Sequence, residues 1–389
     1  MVESGSGRLG RLYASIGRRL GDRLVAELRT AERLEPRLTA SRVAAYGIAA
    51  LVYLGVLLLV ATAVGSLVIG FPNPFAIGIA AFLFALAWLL RPRFGKPPEE
   101  GVLERSEAPI LYGVVDEVAS ALDTKPVDLI AVDHEFNASW QIVGLRRRRV
   151  LQLGLPLLAM LEPQERIALI AHELAHGRNG DSGRGLFVGS AVRALEEVYA
   201  LLAPESDTDS YWELAIFEKL ANMGMWVISR PSLGLLYLQL FLLMRDSQRA
   251  EYLADALAAE VAGSRGSIGL SEKMFLEPTF RAVVQHAARE RNEDAACDIF
   301  GELAAKVAGV PERERDRRRR VARLEEARLH DTHPPTALRI ELVEARAVRD
   351  PIVSLDPAKS AAVDAELMGK RKEFQQLLVE EYRDSLYYG

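Results

Sequence analysis

Apolar and polar positions divide this 389-residue chain into stretches of different character. Residues 43–90 carry no charge at all, and Pro72-Asn73-Pro74 interrupts that run near its middle. A bilayer core of about 30 Å needs roughly 20 apolar residues per helix, so the run predicts two membrane spans, at 43–69 and 75–90. Ahead of it, Leu9, Leu12, Ile16, Leu20, Leu24 and Leu28 recur at helical spacing with arginines between them. A basic amphipathic segment of this kind either lies on an anionic leaflet or packs on a neighbouring domain. Three stretches rich in β-branched and apolar residues, 127–132, 136–143 and 149–153, predict short strands. Gly144 and the run Arg146–Arg149 occupy the turn between the last two.

A helix then follows from Pro163, which suits a first turn, with Glu162 and Glu165 complementing its dipole. Ile167, Leu169, Ile170, Ala171, Leu174 and Ala175 make it too apolar for a surface helix, so it is predicted to be buried. Gly177 and Asn179-Gly180 end it, and the small residues from Asp181 to Gly185 predict a loop. A second helical pattern surrounds residues 249–255 and stops at Gly263. The dense charges of residues 312–328 predict an exposed helix laced with salt bridges. Beyond residue 350, Phe374, Leu377 and Leu378 mark apolar positions of a last helix. The chain is thus expected to be mainly α with a small β-hairpin or sheet, divided at 1–42, 43–90, 91–349 and 350–389.

A net charge of -5 argues against a nucleic-acid partner, and the single Cys297 excludes an intrachain disulfide framework. Arg33, Arg37 and Arg42 precede the first span, and Arg91, Arg93 and Lys96 follow the second, while the turn between them is uncharged. By the positive-inside rule both ends of the hairpin, and everything after it, face the cytoplasm. Residues 185–202 and 223–244 are also apolar but carry Arg193, Glu196, Glu197 and Arg230. Each charge at mid-bilayer costs about 2.5–3.5 kcal/mol, so these helices are expected not to span, but to lie buried or at the membrane surface.

The chemistry concentrates in His172-Glu173-Leu174-Ala175-His176. Residues four apart on a helix share a face, so both imidazoles can reach one metal ion, and Glu173 is placed to take a proton from a water there. A catalytic zinc commonly has three protein ligands and an open position. No further histidine lies just downstream, and a carboxylate is the natural alternative. Glu251 and Asp255 share a helix face; Glu251 can bind the metal while Asp255 accepts a hydrogen bond from a ligand imidazole.

With both motifs in view, the chain resembles the membrane-bound gluzincin metallopeptidases of the HtpX heat-shock protease and CAAX prenyl endopeptidase type. The resemblance rests on residues 171–176, on the E-x-x-A-D run from Glu251 to Asp255, and on Thr332-His333-Pro334-Pro335 with Arg339. It is supported by Phe136-Asn137-Ala138 and residues 150–163, and it covers roughly 102–343. It implies a zincin-like domain behind an N-terminal transmembrane hairpin, one Zn²⁺ per chain, and protein or peptide substrates. It further implies that His333 and Arg339 enter the site and that Asn137 and Ala138 lie along the substrate strand. His333 would donate to the oxyanion, and Arg339 would pair with a site carboxylate or hold the loop. Members are expected to carry a second membrane hairpin between the metal motifs, where this sequence is expected to have none. The leading expectation is a membrane-anchored endopeptidase facing the cytoplasm, in quality control or processing of membrane proteins. The rival reading is an inactive homologue that binds chains on its edge strand.

Overall fold

The computed structural model describes residues 24–29, 39–93, 95–178, 181–202, 215–289, 298–324 and 334–388. Its chain separates into two compact units, 37–94 with 183–246, and 1–36 with 95–182 and 247–389.

The first of these is apolar and helical. Helix α1 (residues 24–29) belongs to the other unit; this one begins with α2 (Ala40–Gly70) and α3 (Pro74–Leu89). The Thr39 side chain accepts from the Arg42 N–H to cap α2. Asn73 does the same for the Phe75 N–H, with Pro74 in the first turn of α3. The Pro-Asn-Pro run therefore ends one helix and starts the next. Most of α7 (Asp181–Leu202) and the first part of α8 (Ala215–Met274, to residue 246) complete the unit. Small residues allow close packing: Ala45 and Ala49 of α2 meet Val188 and Ala191 of α7. The Gln239 amide donates to the Ala45 carbonyl at 3.0 Å. The loop expected at Asp181–Gly185 is instead helical; helix propensity of the longer segment outweighs the two glycines.

Helix α2 and the Met223–Met274 stretch of α8 are long and apolar enough to cross a membrane, while α3 is a shorter apolar helix. Only 17% of the most apolar window of α2 is buried, and Leu51, Leu54, Leu57 and Val68 are exposed. In α8, Met223, Trp226, Val227 and Leu238 are exposed as well, so the part of this stretch up to residue 246 is not a core helix. The charges that argued against membrane placement are partly compensated. Arg230 lies over the Trp226 ring at 4.0 Å, and Arg93 pairs with Glu197 at 3.2 Å.

The other unit is built on a four-stranded sheet. Strands β1 (Val102–Leu103), β2 (Leu129–Asp133), β3 (Ala138–Val143) and β4 (Arg148–Gly154) lie in the order β1-β2-β4-β3. The β3–β4 hairpin is antiparallel and β4 runs parallel to β2, which leaves β3 at an edge. Helices α4 (Pro109–Ala121), α5 (Leu155–Met160), α6 (Pro163–Arg178), the second part of α8, α9 (Glu277–Arg289), α10 (Ile299–Ala308) and α13 (Pro357–Tyr388) bury side chains in one core with β2 and β4. Ile130, Leu151, Val115, Ile167 and Phe300 are fully enclosed in it. The α4 N-cap, Ala108, offers no side chain; instead the Glu366 carboxylate of α13 accepts from the Ile110 and Leu111 N–H groups at 2.8 and 2.9 Å.

Gly263 breaks α8 at φ +80°, where a Cβ would stand 3.2 Å from the Arg349 carbonyl oxygen. The break frees the Val261 carbonyl to accept from the Ile352 and Val353 N–H groups. Helices α11 (Glu312–Leu324) and α12 (Thr336–Glu344) follow. Glu314 pairs with Arg317 and Arg318 on α11. Helix α1 packs Leu24, Val25 and Leu28 against Tyr252 of α8 and Leu342 of α12. Arg29–Glu341 at 2.7 Å and Arg249–Glu27 at 3.0 Å flank that contact. Of the two surroundings open to the N-terminal segment, residues 24–29 thus take the packed one.

Candidate metal centre

Helix α6 buries eleven of its sixteen residues, among them Glu165, Arg166, His172 and Glu173. Buried polar groups must be paired, and at the start of the helix they are. Glu165 accepts from the Glu162 N–H at 2.8 Å and pairs with Lys273 at 3.0 Å. Arg166 donates to the Ser360 hydroxyl and to Asp364, both at 3.1 Å. These ties lock the first turns, so the next turns present His172 and His176 from a fixed backbone.

One turn apart, the two imidazoles stand with ring centroids 5.0 Å apart and planes at 88°. Helix α8 brings Glu251 up to both: His172 Nε2 lies 3.5 Å from Glu251 Oε2, and His176 Nε2 lies 3.4 Å from Glu251 Oε1. Donor atoms of the three residues all lie within 4.8 Å of one another. Asp255, one turn beyond Glu251, meets His172 Nδ1 at 3.0 Å. That contact settles which nitrogen of His172 faces the cluster, leaving Nε2 toward Glu251. Arg339 of α12 closes the arrangement with a two-pronged pair to Asp255, Nε at 2.7 Å and Nη2 at 2.6 Å. Its Nη1 lies 3.8 Å from Glu251. Glu173 is buried on the same turn as His172 and acts electrostatically on His176 and Arg339.

Protonation follows from these neighbours. Burial pushes His172 down, but hydrogen bonds to Asp255 and Glu251 outweigh it and raise the imidazolium to about 10. Burial and the neighbouring His172 hold His176 below its ordinary value. Burial raises Asp255, but Arg339 outweighs it and lowers the carboxyl to about 2. Burial works against the charge on Arg339 as well, and Asp255 overrides it, so the guanidinium stays charged. Two imidazole nitrogens and one carboxylate, with a hydrogen-bonded carboxylate behind one imidazole, are a donor set that fits a divalent ion of the zinc type.

Of the residues singled out from sequence, His172, Glu173, His176, Glu251, Asp255 and Arg339 come together here. His333 and Thr332 lie outside the described residues. Ala138 opens the edge strand β3 opposite Leu153, and the Asn137 carbonyl accepts from the Gly154 N–H at 2.8 Å. That strand is tied to α6 by a residue no sequence pattern points to. Trp140 lies so close to Gly177 that a Cβ there would meet its ring at 2.8 Å. The edge strand and the residue after His176 are therefore packed together, and only glycine leaves room for the indole.

Among curated proteins and among solved structures, none matches the chain. The sequence profile of Peptidase family M48 matches residues 108–347, more than half of the chain, spanning every site residue described above. The chain therefore belongs to peptidase family M48, the family of the HtpX and CAAX prenyl protease type metallopeptidases.

Proposed function

We propose that this metallopeptidase is a zinc-dependent endopeptidase, held in the cell membrane with its site on the cytoplasmic side, that serves quality control or processing of membrane proteins. The observation that supports it most is the convergence of His172, His176 and Glu251 from two helices to within 4.8 Å. These three would hold the metal, one ion per chain. When bound, zinc supplies a Lewis acid that polarises the scissile carbonyl and brings the pKa of water toward neutrality.

The chain's own residues do the rest. Glu173 takes a proton from the attacking water as its oxygen adds to the carbonyl carbon, and gives that proton to the amide nitrogen as the C–N bond breaks. His333 donates to the oxygen that gains charge. Asp255, itself oriented by Arg339, holds His172 in one tautomer. An extended substrate adds to the β3 edge at Asn137 and Ala138, where backbone pairing accepts many sequences.

Two connections bear on the membrane arrangement. Helix α1 packs on the unit that resumes at Gly95, so the chain between them crosses a membrane an even number of times. His172 and Glu251 meet, so the same holds for the chain between them. With α2 apolar and exposed, the first connection favours a hairpin of α2 and α3, and the arginines at its two ends favour the cytoplasm.

The test is Glu173→Gln in the full chain, assayed on an unfolded protein such as casein together with its zinc content. Loss of roughly 10²–10⁴ in kcat with one zinc retained per chain is expected. Cleavage undiminished in the variant would remove Glu173 as the base. A wild-type protein that binds zinc yet cleaves nothing would favour the chain-binding homologue instead.

A further inference from the structure

The β3–β4 turn carries a feature that peptide hydrolysis does not use. Leu145 at its tip is 85% exposed, and Arg146, Arg147 and Arg148 beside it are exposed too. Among the described residues none of these three arginines makes an ion pair, whereas their neighbour Arg149 is bound to Asp128 at 2.6 Å. Arg147 holds φ +53°, a left-handed conformation that glycine or asparagine would adopt at less cost. A strained arginine in a turn that already contains Gly144 at φ +71° points to a use for its side chain.

The turn's place in the chain suggests that use. The backbone at Gly95 lies against the last residue of β3, where an added Cβ would meet a Val143 methyl at 3.5 Å. Only a short linker separates Gly95 from the end of α3 at Leu89. A tip of one large apolar side chain ringed by exposed arginines, on a unit that follows the apolar helices in the chain after so short a linker, matches an anionic leaflet: leucine among the acyl chains, guanidinium groups on phosphates.

We propose that the 145–148 turn is a membrane-docking finger that binds anionic phospholipid headgroups. The same hairpin carries β3, whose Trp140 rests on Gly177 beside His176. Headgroup contact would therefore fix the edge strand with respect to the surface from which membrane-protein substrates emerge. This inference rests on the membrane-anchoring part of the proposed function, not on the hydrolysis.

The experiment uses the full chain with Cys297→Ser and Leu145→Cys, labelled with an environment-sensitive fluorophore. It is reconstituted into phosphatidylcholine vesicles with or without phosphatidylglycerol, and flotation confirms anchoring in each sample. With phosphatidylglycerol the label should shift to the blue and be quenched by a lipid-borne quencher; without it, the label should stay water-like. Each arginine at such a surface multiplies occupancy about fivefold, so adding Arg146→Gln, Arg147→Gln and Arg148→Gln should lower it on the order of a hundredfold. A silent label in floated anionic vesicles overturns the proposal and leaves the peptidase reading intact. An equal response in both lipid mixtures, or one that survives the triple exchange, overturns it too. A chain that does not float overturns the anchoring itself.

Discussion

Helices α6 and α2 depart from the usual distribution of polar and apolar side chains in opposite directions. Helix α6 buries two acids, an arginine and a histidine, while α2 leaves Leu51, Leu54, Leu57, Leu58 and Val68 uncovered. A buried polar group and a large exposed apolar surface are the two observations that carry information about surroundings. For α6 the surroundings are in the chain itself: Lys273, Ser360, Asp364, Asp255 and Glu251 answer its polar side chains. For α2 nothing among the described residues answers most of its outward leucines, and an apolar solvent would. One helix is specified by its partners, the other by its medium.

The comparison breaks most sharply at Arg339. Exchanging Arg339→Met removes the guanidinium from a carboxylate that is 3% exposed and leaves Asp255 charged with only His172 beside it. Removing one partner of a buried pair costs about 3–5 kcal/mol, and loss of an outer partner that orients the carboxylate behind a ligand imidazole costs about 10–100-fold in metal affinity. Denaturant unfolding and a zinc competition titration should show both effects. Adding Asp255→Asn should restore part of the stability, because the buried charge that lost Arg339 is gone, but not the metal affinity. If Arg339→Met is as stable as the parent, the polar cluster of α6 is not held by partners in the way the distances suggest.

At α2 the expected effect is somewhat smaller and of another kind. Leu57 is 64% exposed, and an arginine at such a site on a water-facing helix would change stability within about 0.5 kcal/mol. In a bilayer the same Leu57→Arg exchange costs about 2.5–3.5 kcal/mol of insertion free energy. The fraction of α2 inserted by a translocon assay separates the two media directly. Insertion equal to that of the parent would mean that α2 has a protein or water neighbour and not lipid.

What the sequence made legible follows the same division. Local rules were enough for α2 and α3, because an uncharged run and a Pro-Asn-Pro break refer only to neighbours along the chain. They were enough for the two histidines of α6, because i,i+4 spacing fixes a shared face. Glu251, Asp255 and Arg339 could be named from motifs, but their meeting depends on how α8 and α12 pack, which no spacing encodes. Glu366 on the first amides of α4 and Trp140 against Gly177 were invisible for the same reason: each joins residues distant in sequence through shape or a bare backbone donor. The loop expected at Asp181–Gly185 failed the other way, since two glycines count as turn residues locally but are carried along in a helix that extends to Leu202.

The mildest perturbation, a change of pH, tests whether the partners of α6 set the charge of the site. In the metal-free protein, burial opposes a charge on His172, yet Asp255 and Glu251 keep it protonated up to about 10. A metal ligand must be neutral, so binding expels that proton. The metal-free form is therefore favoured by protons, and apparent zinc affinity should rise about tenfold per pH unit from 7 to 9, below the His172 value. His176 is held below its ordinary value by burial and by His172, so it is already neutral there and adds no second proton. A competition titration against a chromophoric chelator at pH 7, 8 and 9 should give a slope of one, not two. Asp255→Asn removes the first interaction that raises His172, so the slope should flatten over the same range. A parent protein with no slope would mean that His172 is already neutral, and that Asp255 orients the ring without holding its charge.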